Sequence, residues 1–289
     1  MSEAEEPWTI GKVLAWAKKD LAKRSSTSPR LDAELLLTLV LGCDRVKLVI
    51  DSQRPLAPEE LAAYKALHVR RRRGEPIAYI MGEREFHSRP FRVDGRVLVP
   101  RPETELLVET AMRRTRHLSL CARVLDLCTG SGCVAITLER ERPTTSVLGS
   151  DISADALAVA RDNAHRLGAM VGFVQSDLFE AFPAAEQFDL ITANPPYIPQ
   201  GEMADLPVDV REFEPTVALA AGDDGFSVIR PLIDRAPSHL ARDAVLAIEL
   251  VSGSAADVAS MMRERGYRDV EVQKDYGGHE RIISGLRPA

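Results

Sequence analysis

Four consecutive residues, Asn194-Pro195-Pro196-Tyr197, follow the strand-like segment FDLITA and could orient a poor nucleophile. Two prolines stiffen the segment and remove two N–H donors, so its carbonyls are available to a ligand. The side-chain oxygen of Asn194 and the main-chain oxygen of Pro195 can hold both N–H bonds of an amide or aromatic amine, beside the flat ring of Tyr197. Such orientation can contribute roughly 7–11 kcal/mol to catalysis. We therefore predict that Asn194, Pro195 and Tyr197 are catalytic and that Asn194, Pro195, Pro196 and Tyr197 bind the substrate.

A second group of residues is typical of a nucleoside site. The strand-like RVLDL runs into the small-residue turn CTGSG, and the next strand ends at Asp151, 21 residues after Gly130. An acid at this spacing can accept hydrogen bonds from both ribose hydroxyls. Asp126, at the end of its strand, could receive the ammonium group of an amino-acid-bearing nucleoside, which favours S-adenosylmethionine over NAD.

Asp177 ends a third strand, where it could accept from the adenine amine or cap the next turn, and the sequence leaves both open. The predicted cofactor-binding residues are Asp126, Cys128, Thr129, Gly130, Ser131, Gly132, Asp151, Ile152, Asp177, Leu178 and Asn194.

The elements that must position these residues change along the chain. Apolar residues recur at helical spacing up to about Arg73, which predicts an N-terminal helical bundle over 1–82. A β-hairpin linker is expected over 83–102, with Phe91–Val93 and Val97–Val99 flanking an Asp94-Gly95 turn. From 103 to 289 strands alternate with helices, which predicts βαβ units, a mainly parallel sheet and an α/β fold.

The composition excludes several classes of protein. The chain has 289 residues, 45% of them hydrophobic, and a formal net charge of −6, which argues against a protein that coats nucleic acid. Its four cysteines show no Cys-x-x-Cys spacing, so no metal site is expected and the thiols are expected to be reduced. The start, MSEAEEPW, predicts no secretory leader, and no apolar run could span a membrane. We expect a cytoplasmic protein.

Longer segments extend the pattern beyond these two sites. RRRGEPIAYIMGEREFHSRPFRV, LVPRPETE, REFEPTVAL and DYGGHERII, together with DLCTGSG, QSDLF and NPPY, resemble the HemK/PrmC family of peptide chain release factor glutamine methyltransferases. The resemblance covers nearly the whole chain. It implies a Rossmann-like class I methyltransferase domain with a seven-stranded sheet, behind a helical bundle that recognises the substrate.

The resemblance also implies an activity and partners. The expected reaction is N5-methylation of the glutamine in the Gly-Gly-Gln motif of class I release factors, with S-adenosylhomocysteine as product. A monomer that binds neither DNA nor a membrane is expected. Two departures stand out, since Cys128 replaces a glycine common in the family and Leu178 replaces a tryptophan of some relatives.

Other functions and roles stay open at this point. An adenine-N6 DNA methyltransferase shares NPPY, and a non-catalytic ribosome-associated protein could retain the nucleoside fold. The sequence assigns no role to Arg70–Arg73, Arg101, Glu103 or Glu249.

Overall fold

Apolar residues at helical spacing build a unit of helices from the first part of the chain. We describe the protein from a computed structural model covering residues 7–24, 26–117 and 121–289, so Met1–Glu6, on which the expectation about a leader depends, lie outside the described residues. The helical unit comprises 1–82 and 206–213, and the sheet unit comprises 83–205 and 214–289. The helices of the helical unit are α1 (Ile10–Ala22), α2 (Pro29–Leu41), α3 (Arg45–Ile50), α4 (Pro58–Arg72), α5 (Ile77–Met81) and, later in the chain, α9 (Val208–Arg211).

The helix ends follow the local sequence. Thr9 accepts a hydrogen bond from the N–H of Lys12 and so begins α1. Pro29 occupies the first turn of α2, and Gly42 ends that helix with φ of 59°. Both ends of α2 therefore have a local cause in the sequence.

The segment 206–213 returns to the helical unit, which a division by chain order does not anticipate. Gly74, just after α4, has φ of 96°, and a Cβ placed there would lie only 2.7 Å from Cγ1 of Val208. A glycine at 74 is therefore required both by the backbone conformation and by the close approach of this returning segment.

A seven-stranded sheet forms the centre of the sheet unit, in the order β5-β4-β3-β6-β7-β9-β8. Strands β3 to β7 pair in parallel, and β9 is antiparallel to both its neighbours. The expected Rossmann-like, mainly parallel sheet is confirmed. The strands are β3 (Arg123–Leu127), β4 (Ser146–Asp151), β5 (Val171–Gln175), β6 (Phe188–Ala193), β7 (Leu240–Glu249), β8 (Arg268–Lys274) and β9 (Glu280–Leu286).

Helices cover both faces of this sheet. Successive residues of one strand point to opposite faces, so Val124 packs in one apolar cluster and Leu125 in the other. The first cluster also contains residues of α6 and α7, and the second contains residues of α10 and α11. The helices of this unit are α6 (Glu105–Arg114), α7 (Cys133–Glu141), α8 (Ala154–Leu167), α10 (Ile229–His239) and α11 (Ala255–Glu264).

The hairpin is present, but the predicted position of its turn is wrong. Strands β1 (Glu83–Phe86) and β2 (Arg89–Arg92) pair across His87 and Ser88, whose φ values are 46° and 57°. Positive φ at both central residues is what a two-residue hairpin turn needs. Asp94 instead forms a local ion pair with Arg96, and 97–99 is not a strand.

Within the described ranges, none of the helices combines the length and the apolar character that crossing a membrane requires.

A buried ion pair in the helical unit generates a first prediction. Arg71 donates from Nε to Asp32 at 2.7 Å, and the two side chains are only 8% and 5% exposed. Replacing Asp32 with Ala leaves the guanidinium buried without its partner, which we expect to lower the free energy of unfolding by about 3–5 kcal/mol. Urea unfolding measures this loss.

Lys47→Ala is the matched control, because the Lys47–Asp51 pair is exposed and its loss is expected to cost at most about 1 kcal/mol. Equal, small losses for both variants contradict the proposed importance of the buried pair.

Candidate active site

A cavity of about 320 Å³ opens at the carboxyl ends of the parallel strands. It lies where β3 has β4 on one side and β6 on the other, the position at which open α/β sheets bind ligands. Its wall contains eleven of the predicted site residues, namely Asp126, Cys128, Thr129, Gly130, Ser131, Asp151, Ile152, Asp177, Leu178, Asn194 and Pro196. The structure therefore brings the glycine turn and Asn194 to one cavity.

Three predicted site residues do not line the cavity. Pro195 is buried, and Tyr197 is half-buried. Gly132 precedes α7 with φ of 80°, and a Cβ there would lie 3.1 Å from Cβ of Ala160. Gly132 thus allows the turn to pack against α8, whereas Gly130, with nothing within 4 Å of its Cβ position, leaves room for a ligand.

Asp126 is buried and joins two neighbouring elements. Its Oδ2 accepts from the hydroxyl of Thr129 at 2.7 Å, and its Oδ1 accepts from the hydroxyl of Thr192 at 2.7 Å. Burial raises the pKa of Asp126 to about 6, although both hydroxyls lower it. Each oxygen keeps a second lone pair, so the carboxylate can also accept from a cationic ligand.

Asp151 holds the glycine turn from the next strand. Its two oxygens accept from the N–H groups of Gly130 and Ser153, both at 2.9 Å. Burial raises the pKa of Asp151, and the backbone donors lower it. The carboxylate is thereby fixed at the cavity wall.

The structure bears on the two roles predicted for Asp177, which are to accept from the adenine amine or to cap the turn after β5. The turn after β5 is closed by Ser176, whose hydroxyl donates to the carbonyl of Leu178 at 2.8 Å and accepts from the N–H of Ala181 at 3.0 Å. Asp177 is exposed at the cavity, beside Ile152. The cap of this turn is therefore Ser176, and Asp177 remains a candidate for the adenine amine.

Two further residues hold the site together, and neither belongs to a motif of the sequence. Asn163 on α8 donates to the carbonyls of Ser131 and Arg92, both at 3.0 Å, and accepts from the N–H of Arg92 at 2.7 Å. It joins the glycine turn to strand β2. Thr192 is the other. It is the one hydroxyl residue in the buried segment Ile191–Ala193, and this is the sequence feature that could have identified it.

Asn194 is oriented by a residue from before α6. Its Nδ2 donates to Oγ1 of Thr104 at 3.3 Å. Thr104 is buried and also lines the cavity. Since the amide nitrogen faces Thr104, the amide oxygen is the atom that can accept from a substrate.

A buried ion pair shapes the far wall of the cavity. Arg101 donates from a terminal guanidinium nitrogen to Glu214 at 2.6 Å, and the Glu214 side chain is only 1% exposed. Arg101 lines the cavity together with residues 215–218. The pair therefore fixes the segment that follows Glu214 beside the site.

Comparison with known proteins decides the family. A model of the PrmC N-terminal domain matches residues 12–82, and a model of the methyltransferase small domain matches residues 102–209. The release factor glutamine methyltransferase of Geobacter sulfurreducens is 42% identical over 286 residues, which cover 99% of each chain. That of Rhodopirellula baltica is 42% identical over 287 residues, which cover 97% of each chain. This chain belongs to the release factor glutamine methyltransferase family.

The fold of this family member is also found in distant solved structures. The 16S rRNA N2 G1207 methyltransferase of T. thermophilus, in complex with AdoMet and guanosine, is 15% identical. Its TM-score is 0.53, over 71% of this chain and 49% of that chain. This likeness concerns the fold alone.

The part of the chain that the structure describes holds no group of three or more His, Cys, Asp or Glu side chains arranged to bind a metal ion.

Cys128 in the glycine turn and Cys133 at the start of α7 generate a second prediction. Burial and the carboxylates of Asp151, Asp126 and Asp177 raise the pKa of Cys128 well above its ordinary value, and burial raises the pKa of Cys133 to about 12. Because the thiolate is the reactive species, we expect both to react with Ellman's reagent at pH 8 at least roughly 100-fold more slowly than exposed Cys121. Peptide mapping after timed labelling measures the rates.

The same labelling in urea is the control, where all four cysteines are expected to react alike. A rapidly reacting Cys128 in the folded protein contradicts this account of the turn.

Proposed function

We propose that this chain methylates the N5 amide nitrogen of the glutamine in the Gly-Gly-Gln motif of class I release factors. The methyl donor is S-adenosylmethionine, and the other product is S-adenosylhomocysteine. The observation that carries the proposal is one cavity with the glycine turn and Asn194 in its wall, in a chain 42% identical along its length to release factor glutamine methyltransferases.

The residues of the cavity fit this cofactor. Asp151 matches a ribose diol, and Asp126 matches an ammonium group that no NAD molecule carries. Because nothing lies within 4 Å of the Cβ position of Gly130, the methionine portion of the cofactor has room there, beside Cys128. We assign the adenine to the exposed end of the cavity, at Asp177 and Leu178, with Ile152 beside it.

The substrate carboxamide is assigned to the other end of the cavity. An amide nitrogen is a poor nucleophile, since its lone pair is delocalised into the carbonyl. The side-chain oxygen of Asn194 and the main-chain oxygen of Pro195 accept its two N–H groups, which turns the lone pair toward the donor. Bound S-adenosylmethionine supplies an electrophilic methyl on a good leaving group, so this mechanism rests on orientation and electrostatics. As the new N–C bond forms, the C–S bond breaks to release S-adenosylhomocysteine, and the methylated nitrogen, which is then cationic and strongly acidic, loses one of its two protons to water.

Tyr197 and Pro196 complete this end of the site in the proposal. Pro196 forms part of the wall, whereas Tyr197 does not line the cavity, and the charges of Glu249, Arg101 and Arg281 influence its phenol. Burial raises the pKa of Tyr197 to about 12, so the phenol is neutral and acts as a flat, uncharged surface.

The helical unit is assigned to recognition of the release factor. Its matched family model is separate from that of the methyltransferase domain, which is consistent with a separate task. We further propose a monomer that acts in the cytoplasm, where release factors meet the ribosome.

Two rival functions make different predictions. An adenine-N6 DNA methyltransferase would use the same tetrapeptide on an aromatic amine, but the full-length relatives are named for release factor glutamine. A non-catalytic ribosome-associated protein would bind the nucleoside without transfer.

Transfer of a labelled methyl group tests the proposed function directly. With purified release factor we expect one labelled glutamine, and with its Gln→Ala variant in the Gly-Gly-Gln motif we expect none. Mass spectrometry of the digested release factor locates the methyl group. Label in unmethylated DNA supports the adenine rival, and cofactor binding without transfer to any substrate supports the non-catalytic one.

Replacing Asn194 with Ala separates substrate orientation from cofactor binding. We expect the variant to bind S-adenosylhomocysteine as wild type does in calorimetric titration, but to lose at least roughly 100-fold in kcat, as when a single oriented polar group is removed from an active site. Gln200→Ala is the matched control, because Gln200 is exposed on the same connection. Wild-type turnover by the Asn194 variant excludes the assigned role.

A further inference from the structure

Glu249 is a buried acid that the proposed reaction does not use. It ends β7 and is only 3% exposed. Its Oε2 has no hydrogen-bond partner among the described residues. A buried carboxyl that is incompletely hydrogen-bonded costs stability, so its presence needs a reason.

Thr104 connects this acid to Asn194. Its hydroxyl receives the Nδ2 of Asn194 at 3.3 Å, and it lowers the pKa of the Glu249 carboxyl. Ile248 pairs with Ala193 across the sheet, so Glu249, the next residue, lies beside Asn194. A threonine hydroxyl has one proton to donate. When ionised Glu249 accepts that proton, the oxygen of Thr104 can meet Asn194 only as an acceptor, so the amide must present its nitrogen to Thr104.

We propose that Glu249 and Thr104 are positioning residues that fix the side-chain amide of Asn194 with its oxygen toward the substrate. The link between the amide orientation and catalysis rests on the proposed function, whereas the hydrogen-bond chain itself does not. Glu249 acts through Thr104 and is not assigned any contact with substrate or cofactor.

A neutral group at position 249 reverses the donor and acceptor roles in the hydrogen bonds that run through Thr104 to Asn194. A carboxylic acid or a carboxamide there can donate to the oxygen of Thr104, whose proton then points to Asn194. The Asn194 amide responds by turning its oxygen toward Thr104 and its NH₂ toward the substrate. One N–H group of the substrate amide then faces a donor instead of an acceptor, and the lone pair is no longer oriented.

Burial and the neighbouring charges set the pH at which Glu249 ionises close to neutral. Burial raises the pKa of Glu249 to about 7, and Glu103 raises it further, while Thr104, Arg281 and Arg101 lower it. Arg281 is itself paired with Asp275, and Arg101 with Glu214. Tyr197 also faces Glu249 but stays neutral in this range. Because the ionised form is the competent one, kcat should fall as the pH falls through about 7.

Three substitutions in the full-length protein test the hydrogen bonds that link residue 249 through Thr104 to Asn194. We expect Glu249→Gln and Thr104→Val to lower kcat at least roughly tenfold, with affinity for S-adenosylhomocysteine and KM for the release factor changed no more than about twofold. Thr104→Ser retains the hydroxyl and should restore most of the rate. Glu264→Gln, at an exposed position on α11, is the matched control.

Two further readouts keep the test decisive. The wild-type acid limb of kcat near pH 7 should be absent in Glu249→Gln. The side-chain amide signal of Asn194 in a ¹⁵N–¹H spectrum should titrate over the same pH range in wild type and not in Glu249→Gln, whether or not the enzyme turns over.

Specific results overturn the inference. Wild-type kcat and an unchanged acid limb in Glu249→Gln exclude the positioning role, as does an Asn194 signal insensitive to pH. If Thr104→Val does not fold, as shown by lost binding of S-adenosylhomocysteine, Thr104→Ser and Glu249→Gln decide the matter. Absence of transfer by wild type itself contradicts the proposed function, and the amide titration then still tests the hydrogen-bond chain.

Discussion

The hydrogen bonds to Asp126 hold together the two halves of the site. One oxygen receives the hydroxyl of Thr129 in the glycine turn, and the other receives the hydroxyl of Thr192, two residues before Asn194. Asp126 and Thr192 are direct partners in the pairing of β3 with β6. A buried carboxylate that lost either donor would be strongly destabilised, so the glycine turn and the segment that leads into Asn194 cannot move apart without that cost.

This constraint suits a reaction that depends on orientation. A site that must aim a weak nucleophile needs its parts fixed before the substrate arrives, because loose positioning loses most of the advantage of proximity. Asn163 adds a second brace by joining the glycine turn to β2, and the Arg101–Glu214 pair fixes the far wall. Most of these braces are buried polar groups with several partners, which is how proteins make local structure rigid.

The sequence predicts whatever depends on local pattern. The periodicity of apolar residues predicts a helical bundle followed by alternating strands and helices. The ends of α2 follow from Pro29 and Gly42. Asp151 was predicted from its spacing to Gly130, and it lies in the cavity wall. What it missed depends on contacts between residues distant along the chain, such as Thr104 with Asn194, or the return of 206–213 to the helical unit. The hairpin turn was misplaced because Asp94-Gly95 is the stronger local signal, while His87 is held by Glu105 from a later helix.

Cys128 shows how one set of charges serves two purposes. Its φ of 55° is a conformation that glycine adopts more easily, so cysteine there carries strain of order 1 kcal/mol. A thiolate beside an activated methyl group would compete with the substrate as a nucleophile. Burial and the three nearby carboxylates raise the pKa of Cys128, so the thiol stays protonated and unreactive. The acids assigned to the cofactor therefore also make a cysteine tolerable at a position whose positive φ suits glycine better.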